Sequence, residues 1–69
     1  MCLAIPAKVL KIENNLAQVD MAGMKRQADI RMISNLRVGE YVLIHAGFAI
    51  EKIGEKEAEE TLQLLREMA

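Results

Sequence analysis

Turn-forming residues at short intervals restrict the fold of this 69-residue chain more than any other feature. Asparagine and glycine tolerate the left-handed conformations that tight turns need. The turns predicted in this way are Asn14-Asn15, Ala22-Gly23, Ser34-Asn35, Val38-Gly39-Glu40 and the turn at Gly47. They separate five predicted strands, at residues 7–12, 16–21, 24 to 30 or 32, 41–45 and 48–53. Short strands at such close spacing favour a closed or nearly closed barrel, because closure removes exposed sheet edges.

The pattern changes after Gly54 to that of a helix over residues 55–68. Ala58, Leu62, Leu65 and Ala69 share one face at helical spacing. The first turns are rich in glutamate, which suits the positive end of the helix dipole. Since a helix of about 14 residues is marginal alone in water, we expect it to pack on the barrel through Leu62 and Leu65. The predicted fold is mainly β: one domain over residues 1–69, with a barrel at 7–53 and a C-terminal helix at 55–68.

Composition and charge argue against several functional classes. The net charge is −1 and the nine basic residues are scattered, whereas a nucleic-acid-binding protein usually has a basic face. No segment approaches the roughly 18 apolar residues of a membrane span, and Lys8 interrupts the apolar start too early for a signal peptide. A single unpaired cysteine fits a reducing cytoplasm. We therefore expect a cytoplasmic protein without nucleic-acid or membrane partners.

Cys2 and His45 are the only soft or borderline metal ligands apart from methionine. The sequence has no Ser-His-Asp set, HExxH, phosphate loop or CxxC, so an enzyme is not expected. Two ligands cannot close a tetrahedral site, but they can hold a metal whose other positions are filled by exogenous ligands or by a partner. Thiolate suits iron better than magnesium or calcium. The alternatives stay open at this point: Cys2 as a small apolar residue, and His45 as a packed or half-exposed ring.

Pro6 gives an expectation for the start of the chain. Proline has no N–H to donate and restricts the residue before it. We therefore expect Pro6 to end strand pairing and to leave residues 1–6 as a mobile segment outside the barrel, with the Cys2 thiol near its free end.

Two motifs carry a resemblance to a known family. The start, Met1-Cys2-Leu3-Ala4-Ile5-Pro6, and the segment 38–49, which ends in His45-Ala46-Gly47-Phe48-Ala49, closely resemble the HypC/HupF family of [NiFe]-hydrogenase maturation chaperones. The resemblance covers the whole chain. One departure is that Glu40 stands where an Asp is usual. Because glutamate is also acidic, this substitution should keep the turn and its negative charge.

The resemblance implies an OB-like five-stranded barrel followed by a helix, and a carrier rather than an enzyme. Family members bind the iron–sulfur scaffold protein HypD and then the precursor of the hydrogenase large subunit, and help to deliver an Fe(CN)2CO group. Iron would thus be held transiently, with no permanent cofactor. Cys2 matches the essential cysteine of the family and His45 matches the histidine proposed to assist at the iron. Partner binding is expected at Cys2, Leu3, Ile5 and Pro6.

Two other classes remain as alternatives. An OB-type nucleic-acid-binding module needs aromatic stacking platforms and a basic groove, but the chain has only two aromatic residues, Tyr41 and Phe48. A small thiol-dependent redox protein or transferase needs a base near its cysteine, and His45 could be that base for Cys2.

Overall fold

The computed structural model describes residues 4–68, without the side chains at 66 and 68, as five strands and one helix. Met1, Cys2, Leu3 and Ala69 lie outside this range. The elements are β1 (Ile5–Glu13), β2 (Leu16–Met21), β3 (Met24–Asp29), β4 (Tyr41–His45), β5 (Phe48–Ile53) and α1 (Glu55–Met68). The bounds of β2, β4, β5 and α1 agree with the prediction. The first strand extends beyond its predicted residues 7–12 at both ends, and β3 ends at Asp29, one residue before the earlier of its two predicted ends. No helix in residues 4–68 is long and apolar enough to cross a membrane.

The strands form a closed barrel in the order β1-β2-β3-β5-β4, with β4 returning to β1. All neighbouring pairs are antiparallel except β3 and β5, which run parallel and meet only at Asp29 and Phe48. A five-stranded barrel followed by a helix is the predicted fold class, and it is confirmed.

The first strand closes the barrel because it pairs with two neighbours. Its first half pairs with β4, from Ile5 opposite Ile44 to Lys8 opposite Tyr41. Its second half pairs with β2, and the register shifts between Val9 and Lys11. A bulge of this kind bends a strand and increases its twist, so β1 can turn from one neighbour to the other.

Two hairpins each have an alanine–glycine dipeptide as their two-residue turn. Ala22 and Gly23 have φ angles of 53° and 94°, and Ala46 and Gly47 have φ angles of 53° and 84°. Two consecutive positive φ angles define the two-residue type I′ turn, whose twist matches that of the flanking strands. The sequence prediction of turns at these places is confirmed.

The barrel interior is narrow and is filled by small and β-branched side chains. Its buried residues are Ala7, Val9, Ala17, Val19, Ala28, Ile30, Val42, Ile44 and Ala49. They alternate along the strands with outward-facing residues, as the two-residue period of a strand requires. The alternation fixes which side chains the barrel presents on its outer surface.

The helix packs against the outer surface of the barrel through its first half. Ala58 and Leu62 are buried with Tyr41, and Ile53 packs against them. The Tyr41 hydroxyl donates to a carboxylate oxygen of Glu59 at 3.4 Å. The predicted role of Leu62 is confirmed.

The predicted role of Leu65 is wrong, because 38% of this residue is exposed, against 5% for Leu62. Among the described side chains, burial of the helix ends at Leu62. The apolar face of the helix therefore continues beyond the barrel surface on which it packs.

The prediction that Pro6 keeps the preceding residues out of the barrel is also wrong for Ile5. The strand begins at Ile5, which pairs with Ile44, and Pro6 lies opposite Leu43. The N–H of Val9 donates to the Glu40 carbonyl on the β4 side. By the alternation of a strand, the nitrogen of Pro6 then faces away from β4, where pairing with β2 begins only at Lys8. Proline is tolerated where the missing N–H has no ladder partner.

The connection between β3 and β4 ends in a turn that Glu40 organises. The N–H of Arg37 donates to the Glu40 carboxylate at 2.7 Å, and the Glu40 N–H donates to the Arg37 carbonyl at 3.2 Å. Lys52 lies 3.8 Å from the same carboxylate. Glu40 therefore keeps both the turn and the negative charge at this position.

Candidate functional site

The candidate site lies at the end of the barrel where β4 finishes. His45 is the last residue of β4, the type I′ turn of Ala46 and Gly47 follows, and Phe48 lies directly opposite His45. Ile44 points into the core, so His45 points outward, and its side chain is exposed. The tight turn fixes the backbone of His45 because both of its flanking strands belong to the barrel.

The chain enters the barrel beside this histidine. Because β1 and β4 are antiparallel and Ile5 pairs with Ile44, the start of β1 lies next to the end of β4. Cys2 stands three residues before Ile5 and lies outside the described residues, as does Leu3. Three residues of extended chain span at most about 11 Å, so this spacing permits an approach of Cys2 to His45, which stays a prediction.

The partner-binding residues expected from the sequence lie in different environments. Ile5 is half-buried, whereas Pro6 is among the fully buried side chains. Pro6 faces away from the core residue Ala7, on the outer side of β1. Their binding to a partner stays a prediction.

His45 is part of an outward-facing row that crosses four strands. Leu16 pairs with Asp29, Asp29 with Phe48, and Phe48 with His45. Directly paired residues share a face. Leu16 is 42% exposed and Phe48 is 37% exposed, so the row carries two accessible apolar groups, of which Phe48 lies directly opposite His45.

An ion pair holds the centre of this row. The Arg31 Nη2 atom lies 2.8 Å from Asp29 Oδ2. The Nε–H of Arg31 donates to both carboxylate oxygens of Asp29 at 3.0 Å. The backbone N–H of Arg31 also donates to Asp29 Oδ1. The side-chain hydrogen bond from Arg31, followed by the backbone one, holds the pKa of Asp29 below its ordinary value. The carboxylate therefore stays charged and fixed.

Resident metal binding finds no support within residues 4–68. No three histidine, cysteine, aspartate or glutamate side chains of this part of the chain lie close enough to hold a metal ion. The His45 imidazole has no hydrogen bond to another described residue. His45 is thus not the packed ring of the alternative interpretation, and its nitrogens are available for a metal carried by other ligands.

Sequence reasoning missed the Asp29–Arg31 pair and its place beside His45. The two-residue spacing of opposite charges at the end of the third predicted strand was a signal for the pair itself. Its position next to Phe48 depends on the parallel contact between β3 and β5, which no local pattern reveals.

Comparison with known proteins finds matches over nearly the full length of the chain. The model of the HupF/HypC family matches residues 1–65. The hydrogenase maturation factor HypC of Rhizobium leguminosarum bv. viciae is 41% identical over 70 residues, which cover 100% of this chain and 93% of that protein. The factor of the same name from Helicobacter hepaticus is 41% identical over 70 residues, covering 99% of this chain and 81% of its own. The hydrogenase maturation factor HypC of Escherichia coli K12 is 38% identical over 74 residues, which cover 99% of this chain and 82% of that protein.

The fold and site define a small barrel protein with a C-terminal helix and an exposed histidine beside the start of β1. The family match spans nearly the whole sequence, including both motifs. The chain belongs to the HupF/HypC family.

Proposed function

We propose that this protein is a maturation chaperone for a [NiFe]-hydrogenase and carries the Fe(CN)2CO group as cargo. The observation that supports the proposal most strongly is the pairing of Ile5 with Ile44, which brings the start of β1 beside His45. The family relationship supports the class, since its curated members are hydrogenase maturation factors.

In this proposal, Cys2 supplies a thiolate to the iron and His45 supplies or orients a second donor. Cyanide and carbon monoxide occupy further positions, so two protein ligands suffice. A thiolate is a soft ligand suited to iron. A neutral imidazole nitrogen is a common metal ligand in proteins.

The proposed partners are a HypD-type iron–sulfur scaffold protein, from which the group is received, and the large-subunit precursor, to which it is passed. Phe48, directly opposite His45, and Leu16, further along the same row, are exposed apolar side chains. They give either partner an apolar surface on which to exclude water from the iron group. We place the exchange in the cytoplasm and assign the protein a carrier role rather than an enzymatic one.

The test is anaerobic co-expression of the tagged full chain with the scaffold protein and the enzymes that modify its iron. Wild type should co-purify with the scaffold and show infrared bands of metal-bound cyanide and carbon monoxide. Cys2→Ala should lose the bands while its melting temperature stays within about 2 °C, since terminal residues contribute little to stability. Met32→Ala is the matched control, because Met32 is 63% exposed in the β3–β4 connection. Retention of the bands by Cys2→Ala would contradict the proposal.

His45 is tested separately with His45→Ala and His45→Gln. Both variants should fold normally and hold less iron with bound diatomic ligands. If iron handling were unchanged while stability fell by more than about 2 kcal/mol, the scale of a destabilising core substitution, His45 would be structural and the two-ligand proposal would fail.

A further inference from the structure

The third strand has one edge that is not paired with another strand. Its Met24–Asp29 span pairs with β2 along its full length on one side. On the other side only Asp29 meets β5, at Phe48. Because the two strands run parallel, β5 leads away from this point, and the chain before Phe48 is the turn of Ala46 and Gly47. The edge of β3 before Asp29 is therefore open.

The hairpin geometry shows which backbone groups this edge presents. Met21 and Met24 flank the two-residue turn and form the first pair of the ladder, so Met24 directs its N–H and carbonyl toward β2. Alternation then directs those of Lys25 and Gln27 to the open edge. The next residue of this set, Asp29, donates its N–H to the Gly47 carbonyl at 2.9 Å, which agrees with this assignment.

Within residues 4–68, one side chain forms a hydrogen bond with the backbone of this part of the edge. The Arg26 guanidinium donates to the Lys25 carbonyl at 3.4 Å, a long and exposed hydrogen bond. The N–H and carbonyl of Gln27 have no partner among the described residues. An open edge with unpaired backbone groups is a template for an added strand.

Positive charge lies alongside the open edge. A cavity of about 360 Å³ on the β1–β2–β3 surface is lined by Lys11, Lys25 and Arg26, with Glu13 as the one acidic lining residue. Exposed Leu16 also lines it. The surface is therefore complementary to an acidic segment that also carries apolar side chains.

We propose that the β3 edge binds an extended segment of a partner protein by strand addition, and that this segment alternates acidic and apolar residues. Its backbone pairs with Lys25 and Gln27, and its carboxylates meet Lys25 or Arg26. A second copy of this chain fits less well, because antiparallel pairing of two β3 edges around Arg26 places like charges opposite each other, which is destabilising. The proposal is independent of iron transfer through Cys2.

The experiment uses the full-length, 15N-labelled protein and an end-capped octapeptide of alternating valine and glutamate. Binding should slow hydrogen exchange of the Gln27 amide at least 10-fold at saturation and leave the exchange of Val19, in the core, unchanged. The matched peptide of valine and lysine should bind at least 10-fold more weakly. The glutamate peptide with N-methyl groups on two adjacent central residues should also bind at least 10-fold more weakly. Two groups are needed because adjacent amides of an extended peptide point to opposite edges, and either edge could pair with β3.

Variants test the protein side of the same contact. Gln27→Pro removes only the N–H that faces the open edge and should weaken peptide binding at least 10-fold, whereas Gln27→Ala keeps the backbone donor and should bind like wild type. Lys25→Gln with Arg26→Gln should also weaken binding. If Gln27→Pro does not fold, the N-methylated peptide still decides the question.

Three results would overturn the proposal. The first is unchanged exchange at Gln27 with saturating glutamate peptide. The second is equal binding of the N-methylated peptide, which would mean electrostatic adsorption without strand pairing. The third is tighter binding of a single-stranded oligonucleotide than of the glutamate peptide at the same ionic strength, which would assign the basic surface to nucleic acid.

Discussion

The attachment of the helix to the barrel can be tested by comparing two leucines on α1. Leu62 is 5% exposed and packs with Tyr41, Ala58 and Ile53, whereas Leu65, less than one turn further on, is 38% exposed. Replacement by alanine deletes the same atoms in both cases. Leu65→Ala is therefore a matched control for Leu62→Ala.

The expected cost follows from burial. Replacing a buried leucine by alanine typically costs about 2–5 kcal/mol, depending on how far the site can relax. Leu62 lies in a small cluster near the surface, so we expect the lower part of that range, about 2–3 kcal/mol. For Leu65→Ala we expect about 1 kcal/mol or less, because a large part of the side chain stays in water.

The assay is urea and thermal unfolding of the free protein followed by circular dichroism. In a domain of this size 1 kcal/mol shifts the melting temperature by roughly 4–8 °C. Leu62→Ala should thus melt about 10–20 °C below wild type, with Leu65→Ala much closer to it. Equal effects of the two substitutions would refute this packing. If Leu62→Ala were neutral in the free protein but weakened partner binding, the Leu62 face would be an interface instead.

Three further predictions concern the turns and the site. Ala46→Asn and Ala22→Asn should each raise stability by about 0.5–1 kcal/mol in urea unfolding, because asparagine tolerates the left-handed conformation that alanine adopts there; a loss of stability in both would contradict the turn assignment. The folded-state pKa of Asp29 is lowered by Arg31, so its contribution is present above the unfolded pKa of about 3.9 and disappears as the pH falls through the folded value. Below pH 4, wild type should therefore lose more stability than Asp29→Asn, and parallel pH profiles would refute the pair. Finally, His45→Gln should change the free energy of unfolding by less than about 0.5 kcal/mol, because the side chain is exposed; a larger loss would indicate a packed ring.

The elements with local signals could be predicted from the sequence. The turns at Asn14, Gly23 and Gly47 lie where asparagine or glycine adopts a positive φ angle. The bounds of β2, β4, β5 and α1 followed from these turns, and the alternation along β4 separated Val42 and Ile44 in the core from His45 outside.

The errors arose where the outcome depends on residues distant in sequence. Whether Pro6 can lie in a strand depends on which neighbour its nitrogen faces, and this is set by the pairing with Leu43. The exposure of Leu65 depends on how far the barrel surface extends beneath the helix, which helical periodicity does not contain. Both are properties of packing between elements.

The sequence could predict which residues form the candidate site but only partly where they lie in the fold. Cys2 and His45 stood out as the available soft ligands, and the family resemblance assigned them a role. The antiparallel register of β1 and β4 puts Ile5 beside the end of β4, and this register joins residues about 40 positions apart. The Asp29–Arg31 pair beside them became apparent only through the single contact between β3 and β5.

The most direct test of the carrier role is transfer of labelled iron to an apo large-subunit precursor. The protein is isolated anaerobically with 57Fe, mixed with the precursor, and separated from it again, and 57Fe and the cyanide and carbon monoxide bands are measured in both fractions. The account predicts that label and bands move together to the precursor from wild type, and that neither moves when the donor is Cys2→Ala. Equal transfer from both donors, or transfer of iron without the diatomic ligands, would contradict it.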